Sequence, residues 1–159
     1  MFKHFALTIF LLLPLTATAQ TNIALGGISA DPSAPVEVTA DSLNVDQDSK
    51  SAVFSGNVVI GQGEMRISAA EVKVIYDDAT GDIAQLLASG GVTFVTATEA
   101  AEAQTADYNL ITGLLTLTGE VLLTQGASAL SADSMVVNLT DGTATMQGRV
   151  RTVFQQGNP

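Results

Sequence analysis

Four times along this chain an Ala stands next to an acidic residue at the start of an alternating segment, and a Gly further on opens a second one. The first unit runs from Ala40-Asp41-Ser42-Leu43 to Gly56-Asn57-Val58-Val59-Ile60, and the second from Ala70-Glu71-Val72-Lys73-Val74 to Gly91-Val92-Thr93-Phe94. The third goes from Ala106-Asp107-Tyr108 to Gly119-Glu120-Val121-Leu122-Leu123, and the last from Ala132-Asp133-Ser134-Met135 to Gly148-Arg149-Val150. The Gly marks recur about every thirty residues, the length of one supersecondary unit. Inside each unit the period is two: Val36-Glu37-Val38-Thr39, Met65-Arg66-Ile67-Ser68 and Val72-Lys73-Val74 alternate as half-buried strands do. Between them lie Asp46-Gln47-Asp48, Gly61-Gln62-Gly63, Asp77-Asp78-Ala79-Thr80-Gly81, Thr112-Gly113 and Asp141-Gly142, each supplying a Gly or an Asp suited to a turn. Short strands with regular turns predict an all-β sandwich, barrel or jelly roll. The segment from Thr98 to Ala103 holds strong helix formers but has no apolar stripe, and it falls where the repeat needs a turn and a strand start. It is read as loop or strand.

The side of each strand opposite its charged or amide residues forms one apolar set: Val36, Val38, Phe54, Val58, Ile60, Met65, Ile67, Val72, Val74, Val92, Phe94, Tyr108, Leu115, Leu117, Val121, Leu123, Met135, Val137 and Met146. Strands with one apolar face must aim that face at a common interior. Periodicity leaves two outcomes open. The interior is a dry core of interlocked side chains, or the two faces stand apart and line an apolar slot.

The chain carries 16 Asp and Glu against 6 Lys and Arg, a formal charge of -10, with 47% hydrophobic residues. Such a chain is globular, and its sign opposes binding to nucleic-acid phosphates. It has no Cys, and its one His is His4. Ser-His-Asp and Cys-His arrangements, and zinc sites built from those ligands, are therefore missing downstream of the N-terminal segment. Lys50 and Lys73 do not follow a Gly, so the phosphate-binding loop of the G-x-x-x-x-G-K-[ST] type is absent as well. Asp77-Asp78 and Asp46-Gln47-Asp48 lack the ligand count of a calcium loop and read as solvated turns. No cofactor, metal site or catalytic residue is expected.

The start, Met1-Phe2-Lys3-His4, precedes an apolar run from Phe5 to Leu13 and then Thr16-Ala17-Thr18-Ala19-Gln20. A basic start, a short apolar stretch and an Ala-x-Ala site are the marks of a secretory signal. No Cys follows, so a lipid-anchored form is not expected. The organisation read from this is a signal peptide at 1–19, a flexible segment at 20–34, one β domain at 35–156 and a tail at 157–159.

The run Phe54-Ser55-Gly56-Asn57-Val58-Val59-Ile60-Gly61-Gln62-Gly63, followed by Met65-Arg66-Ile67 and Ala70-Glu71-Val72, resembles the OstA-like family. Pro35-Val36-Glu37-Val38-Thr39-Ala40-Asp41 matches the family's first strand, while Leu117-Thr118-Gly119-Glu120-Val121 and Gly148 to Phe154 match its later repeats. The resemblance implies a twisted β-jelly roll of many short antiparallel strands, open at both ends. It also implies a periplasmic protein that binds lipopolysaccharide, sheltering the lipid A acyl chains between its sheets. The partners implied are an inner-membrane LptC-like protein and an outer-membrane LptD-like protein. The groove would then be lined by the apolar set above, from Val36 to Val137. Open ends also leave unpaired backbone groups that template strand addition. Head-to-tail self-association is expected through Val36, Glu37, Val38 and Thr39 at one end and Val150, Arg151, Thr152 and Val153 at the other.

In one respect the chain departs from the family, whose groove mouth carries basic residues. Here the matching turn is Asp77-Asp78, and Arg66, Lys73, Arg149 and Arg151 are the few cations left. Divalent cations, or a lipid A with fewer phosphates, would reconcile an acidic chain with an anionic lipid. The competing readings are an LptC-like component, a translocon N-terminal-type domain, an envelope β-polymer that carries no lipid, and, least favoured, an enzyme using paired carboxylates.

Overall fold

The structure is a computed structural model. It describes residues 31 and 33–155, together with the backbone of residues 21–24; the expected signal peptide and the tail at 157–159 lie outside the described residues. Thirteen strands follow one another: β1 (Thr21–Ala24), β2 (Glu37–Thr39), β3 (Ser42–Asp46), β4 (Ser51–Gln62), β5 (Met65–Tyr76), β6 (Ile83–Ser89), β7 (Val92–Val95), β8 (Glu99–Ala103), β9 (Thr105–Asn109), β10 (Leu114–Gln125), β11 (Ser128–Asn138), β12 (Thr143–Gln147) and β13 (Arg151–Val153). Every pairing is antiparallel, and there is no helix among the described residues. The helix-prone Glu99–Ala103 is strand β8, held between β7 and β10. Tertiary pairing there overrides the local preference.

All strands belong to one sheet, which a line of corners folds into two layers. The long strands β4, β5, β10 and β11 cross the line and serve both layers. The first layer runs β3, Ser51–Ser55 of β4, Glu71–Tyr76 of β5, β6, β9, Leu114–Thr118 of β10, Ser134–Asn138 of β11, and β12. β1 is added outside β12. The second layer runs β2, Val58–Gln62, Met65–Ala69, β7, β8, Val121–Gln125, Ser128–Ala132 and β13.

The corners explain the repeat. Along the fold line, single residues alternate with two-residue steps: Asp41, then Gly56-Asn57, Ala70, Gly90-Gly91, Gln104, Gly119-Glu120, Asp133 and Gly148-Arg149. In each two-residue step both members have positive φ: +81° and +47° at Gly56-Asn57, +88° and +46° at Gly119-Glu120. Two residues facing one is a bulge, which bends the strand and carries it into the other layer. β4 shifts register between Ser55 and Val58, and β10 between Thr118 and Val121. The first residue of each step is Gly because a side chain has no room: a Cβ on Gly90 would lie 2.6 Å from the Cβ of Ala70. The facing residue is then tied across the step. The N–H of Asp41 donates to the carbonyl of Gly56 at 2.9 Å, and that of Asp133 to Gly148 at 2.8 Å. At three corners a side-chain bond is added: Asn57 donates to Asp41 at 2.8 Å, Gln104 to Glu120 at 3.3 Å, and Arg149 Nε to Asp133 at 2.9 Å. The Arg149 hydrogen bond holds the Asp133 carboxyl below its usual range.

Two marks of the sequence repeat move by a few residues. The second unit turns at Ala69-Ala70 against Gly90, and the third at Ala103-Gln104 against Gly119. The expected Ala106-Asp107 lies inside β9 instead. The feature common to all four corners is an Ala on the inner face immediately before the facing residue: Ala40, Ala69, Ala103 and Ala132. The layers converge at the fold line and leave space there for a methyl group.

Gly90→Ala combines a strained positive φ with a methyl placed against Ala70, so a loss of about 2–4 kcal/mol is expected in urea unfolding. Gly81, at φ +75° with nothing within 4 Å, pays only the backbone term; Gly81→Ala should cost about 1 kcal/mol. Equal losses at the two sites would show that the corner contact contributes nothing.

Candidate functional site

The inner faces of both layers form one apolar cluster. Its composition is graded from the fold line outward. Alanines line the apex. Large apolar residues, among them Ile60, Ile67, Phe94, Leu115 and Leu123, fill the middle. At the far rim, where turns end the strands of both layers, polar side chains face inward. Gln62, the last residue of β4, is buried at 2% exposure in the second layer, and Tyr108 of β9 reaches it from the first. The Tyr108 hydroxyl donates to Gln62 Oε1 at 2.8 Å, and Gln62 Nε2 donates to the carbonyl of Ala34 at 3.1 Å. This hydrogen bond joins the two layers on the side where the backbone does not. Burial pushes the Tyr108 phenol above its ordinary pKa, so it stays a donor at neutral pH. Glu99, also 2% exposed, accepts from the hydroxyls of Thr96 and Thr98 and from Gln125 Nε2, which ties the β7–β8 turn to the end of β10.

Of the residues expected to line an interior, Met65, Ile67, Val74, Val92 and Tyr108 are buried. Val58, Ile60, Val72, Phe94, Leu115, Leu117, Val121, Leu123, Met135, Val137 and Met146 are at 0% exposure. Zero exposure leaves no water-sized void beside these side chains. Over the middle of the molecule the interior is therefore filled, which answers the question that periodicity left open. Exposure rises toward the β2–β3 end. Val36, Val38 and Phe54 are only partly buried there, and Leu43 and Val45, on the inner side of β3 opposite Phe54 and Ala52, are 55% and 60% exposed. Clefts such as the one lined by Pro35, Glu37, Thr39, Val59, Gly61 and Arg66 lie on outward-facing residues.

The proposed self-association strands sit at opposite ends. Glu37–Thr39 form β2, with Val36 just before it, and Arg151–Val153 form β13, with Val150 just before it. β2 pairs with β4 alone and β13 with β11 alone, so each has an open side among the described residues.

The acidic turns are structural. Asp77 Oδ1 accepts from the N–H groups of Ala79 and Thr80 at 2.8 and 3.0 Å, which lowers its pKa, and Asp46 does the same for Asp48 and Ser49. Asp78 pairs with Lys50 at 2.8 Å. No group of three metal-ligating side chains occurs among the described residues. Arg66, a candidate anion contact, spends Nη1 on the carbonyls of Gly63 and Met65 at 2.6 and 2.7 Å.

Sequence reasoning missed several interior residues. Leu86 and Ala88 lie in Ile83–Ser89, where Gln85 and Ser89 mark the odd side as outer, a signal weakened by Ile83 and Leu87 on that same side. Leu130 and Ala132 were masked by a parity switch, since the inner face changes from even to odd positions across Asp133. Gln62 looked like part of a Gly-x-Gly turn.

Two bent β layers around one apolar interior, filled over its middle and with open strand edges at both ends, define an all-β jelly-roll protein. The family described as LptA/(LptD N-terminal domain) LPS transport protein matches residues 37–158, and the chain belongs to it. Members are lipopolysaccharide transport proteins, not enzymes. The chain is 26% identical over 147 residues to an uncharacterized protein of Rhizobium meliloti (strain 1021), covering 92% of this chain and 67% of that one. It is 34% identical over 80 residues to the lipopolysaccharide export system protein LptH of Pseudomonas aeruginosa, covering 50% of this chain and 45% of LptH. The crystal structure of LptH, the LptA homologous periplasmic component of that organism's lipopolysaccharide transport device, superposes with a TM-score of 0.71 at 18% identity, over 80% of this chain and 99% of that one. This likeness establishes the fold.

Tyr108→Phe keeps the ring and removes the donor, leaving the buried Gln62 carbonyl oxygen unpaired. Urea unfolding should show a loss of about 1–3 kcal/mol; a loss below about 0.5 kcal/mol would mean that water replaces the hydroxyl and that the rim is wet.

Proposed function

We propose that this protein is a periplasmic carrier that holds lipopolysaccharide by its acyl chains between the two layers and passes it along a head-to-tail bridge. That bridge would run from an LptC-like inner-membrane protein to an LptD-like outer-membrane protein. The carrying observation is the apolar interior that runs the length of the molecule and comes to the surface at the β2–β3 end through Leu43, Val45 and Phe54. Family membership and the signal-like N-terminal segment support export and the lipid class.

A filled interior is compatible with a carrier when cargo and filler are alike. An acyl chain exposed to water costs about 0.8 kcal/mol per CH₂, about 10 kcal/mol for twelve carbons. Sliding such a chain between Val, Leu, Ile and Met side chains exchanges one apolar contact for another. The layers are covalently continuous along the fold line alone; at the rim they are held by packing and by the Tyr108–Gln62 hydrogen bond. Opening at the rim, beginning from the exposed end, widens the wedge without breaking a strand ladder. Transfer between two such interiors is nearly neutral in free energy, which fits a chain with no nucleotide-binding loop. The complete burial of the middle favours the second reading, a structural β-polymer that carries no lipid.

Photo-crosslinkers at Leu43, Phe54 and Val58 in living cells separate the two. The carrier gives adducts with lipopolysaccharide, stronger at Leu43 and Phe54 than at the deeply buried Val58. Adducts with protein alone at all three positions would remove the carrier reading.

A further inference from the structure

Each layer, counted without β1, contains eight strand segments: β3 to β12 in the first and β2 to β13 in the second. Neighbours are antiparallel throughout, so in each layer the first strand runs opposite to the last. A second copy placed end to end by translation would therefore set its β3 beside β12 and its β2 beside β13, antiparallel at both places. The two layers are equally long, so both junctions close together. This geometry follows from the pairings alone, and the inference below rests on the head-to-tail reading of the preceding subsection.

One element breaks the match. β1 lies on the outer edge of β12, with Thr21 opposite Met146, Asn22 opposite Thr145, Ile23 opposite Ala144 and Ala24 opposite Thr143. It runs antiparallel to β12, as an incoming β3 would, and it covers the same backbone edge. β13 in the other layer has no such cover among the described residues. With β1 in place the first layer is longer by one strand, about 4.8 Å, and an arriving copy cannot seat both junctions at once.

We infer that Thr21–Ala24 is a self-cap: an internal strand that occupies the β12 edge and holds back end-to-end assembly until β3 of a second copy displaces it. The exchange favours assembly once both copies are aligned. β1 offers four residues to β12, whereas β3 has five, and β2 against β13 adds a second ladder that β1 cannot replace. The register also suits the exchange. If β3 takes the place of β1 with Leu43 opposite Met146, then Val45 falls opposite Ala144. Both exposed apolar residues of the free end then lie against the inner face of the neighbour's last strand. In the same register Asn44 faces Thr145. A capped edge of this kind is also a safeguard, because an uncovered strand edge invites indiscriminate pairing.

The chain contains no Cys, so N44C/T145C reports this junction without background: the two positions lie at opposite ends of one molecule, and their disulfide forms only between copies. The double variant is oxidised in the mature full-length chain, with β1 intact or carrying N22P/I23P, and covalent ladders are read on a denaturing gel against protein concentration. Prolines in β1 remove its ladder donors without touching the domain. Ladder formation should then need at least about tenfold less protein, the factor supplied by one to two net hydrogen bonds. A chain beginning at Leu25 is the second variant and should behave as the proline variant does; unchanged unfolding midpoints check that both remain folded. Ladders of equal yield with and without β1 overturn the cap while leaving head-to-tail assembly standing. Ladders weakened by the loss of β1 also overturn it, since β1 would then be the linking strand. No ladder in any variant, with the fold intact, removes the head-to-tail reading and the cap together.

Discussion

The rest of the structure depends on how a long β-strand is made to turn from one layer into the next without ending. A Gly and a second residue, both at positive φ, face a single residue on the neighbouring strand, and that mismatch bends the sheet. Repeated at Gly56, Gly90, Gly119 and Gly148, it sets all bends on one line. Two layers built this way are joined at every crossing on the fold side and cannot slip relative to each other there. A shift by one residue would carry every apolar side chain to the solvent face.

Placing all bends on one side has consequences for the interior. The layers meet at an apex that accepts Ala and part toward a rim where Gln62, Tyr108 and Glu99 satisfy each other or nearby groups. No buried side-chain polar atom among the described residues lacks a partner. The rim and the two ends offer the ways between the layers, since the remaining boundary is the continuous backbone of the fold line. A molecule of this design separates what must not move, the ladders within each layer, from what is free to yield, the packing between them.

How much of this was legible in the sequence differs from feature to feature. The alternation in Met65–Ser68 or Val72–Val74 is readable because a strand with one wet face records that face at every second residue. The four-part repeat was also visible, but its register was not, because the sequence displays Ala-acidic pairs at Ala70-Glu71 and Ala106-Asp107 that lie beside the true corners or away from them. The corner needs a small inner residue followed by a single facing residue; Gln104 hydrogen-bonds back across the step as Asp41 does, and Ala70 fills the place by its size alone. The inner face was followed across the parity change at Ala70, where Met65, Ile67, Val72 and Val74 alternate with charged or hydroxyl residues, but it was missed at Leu130 and Ala132 before the change at Asp133 and in Ile83–Ser89, where no charged residue marks the outer side. Burial of Gln62 could not be read because its polarity argues for a turn until a partner such as Tyr108 is known. β8 illustrates the opposite limit: Glu99–Ala103 has helical composition, and only the register between β7 and β10 makes it a strand.

The two ends of the molecule are unlike, and the difference follows from chain order. At the β2–β3 end the inner apolar surface is left bare, with Leu43 and Val45 more than half exposed. At the β12–β13 end Met146 and Leu130 are covered and the chain's own β1 lies along β12, while the β13 edge is open and Phe154 just after it is 74% exposed. A protein whose two ends were both bare would pair indiscriminately, and one with both ends sealed could neither receive cargo nor join a neighbour. The asymmetry lies in the first layer: at one end β3 presents apolar surface, and at the other the β12 edge, under the cap proposed above, would yield only to a strand that outcompetes four residues of β1, while β13 in the second layer keeps an open edge. Direction along a bridge would then be a property of each copy, set by which first-layer edge carries the cap, and no copy would need to sense its place in the row.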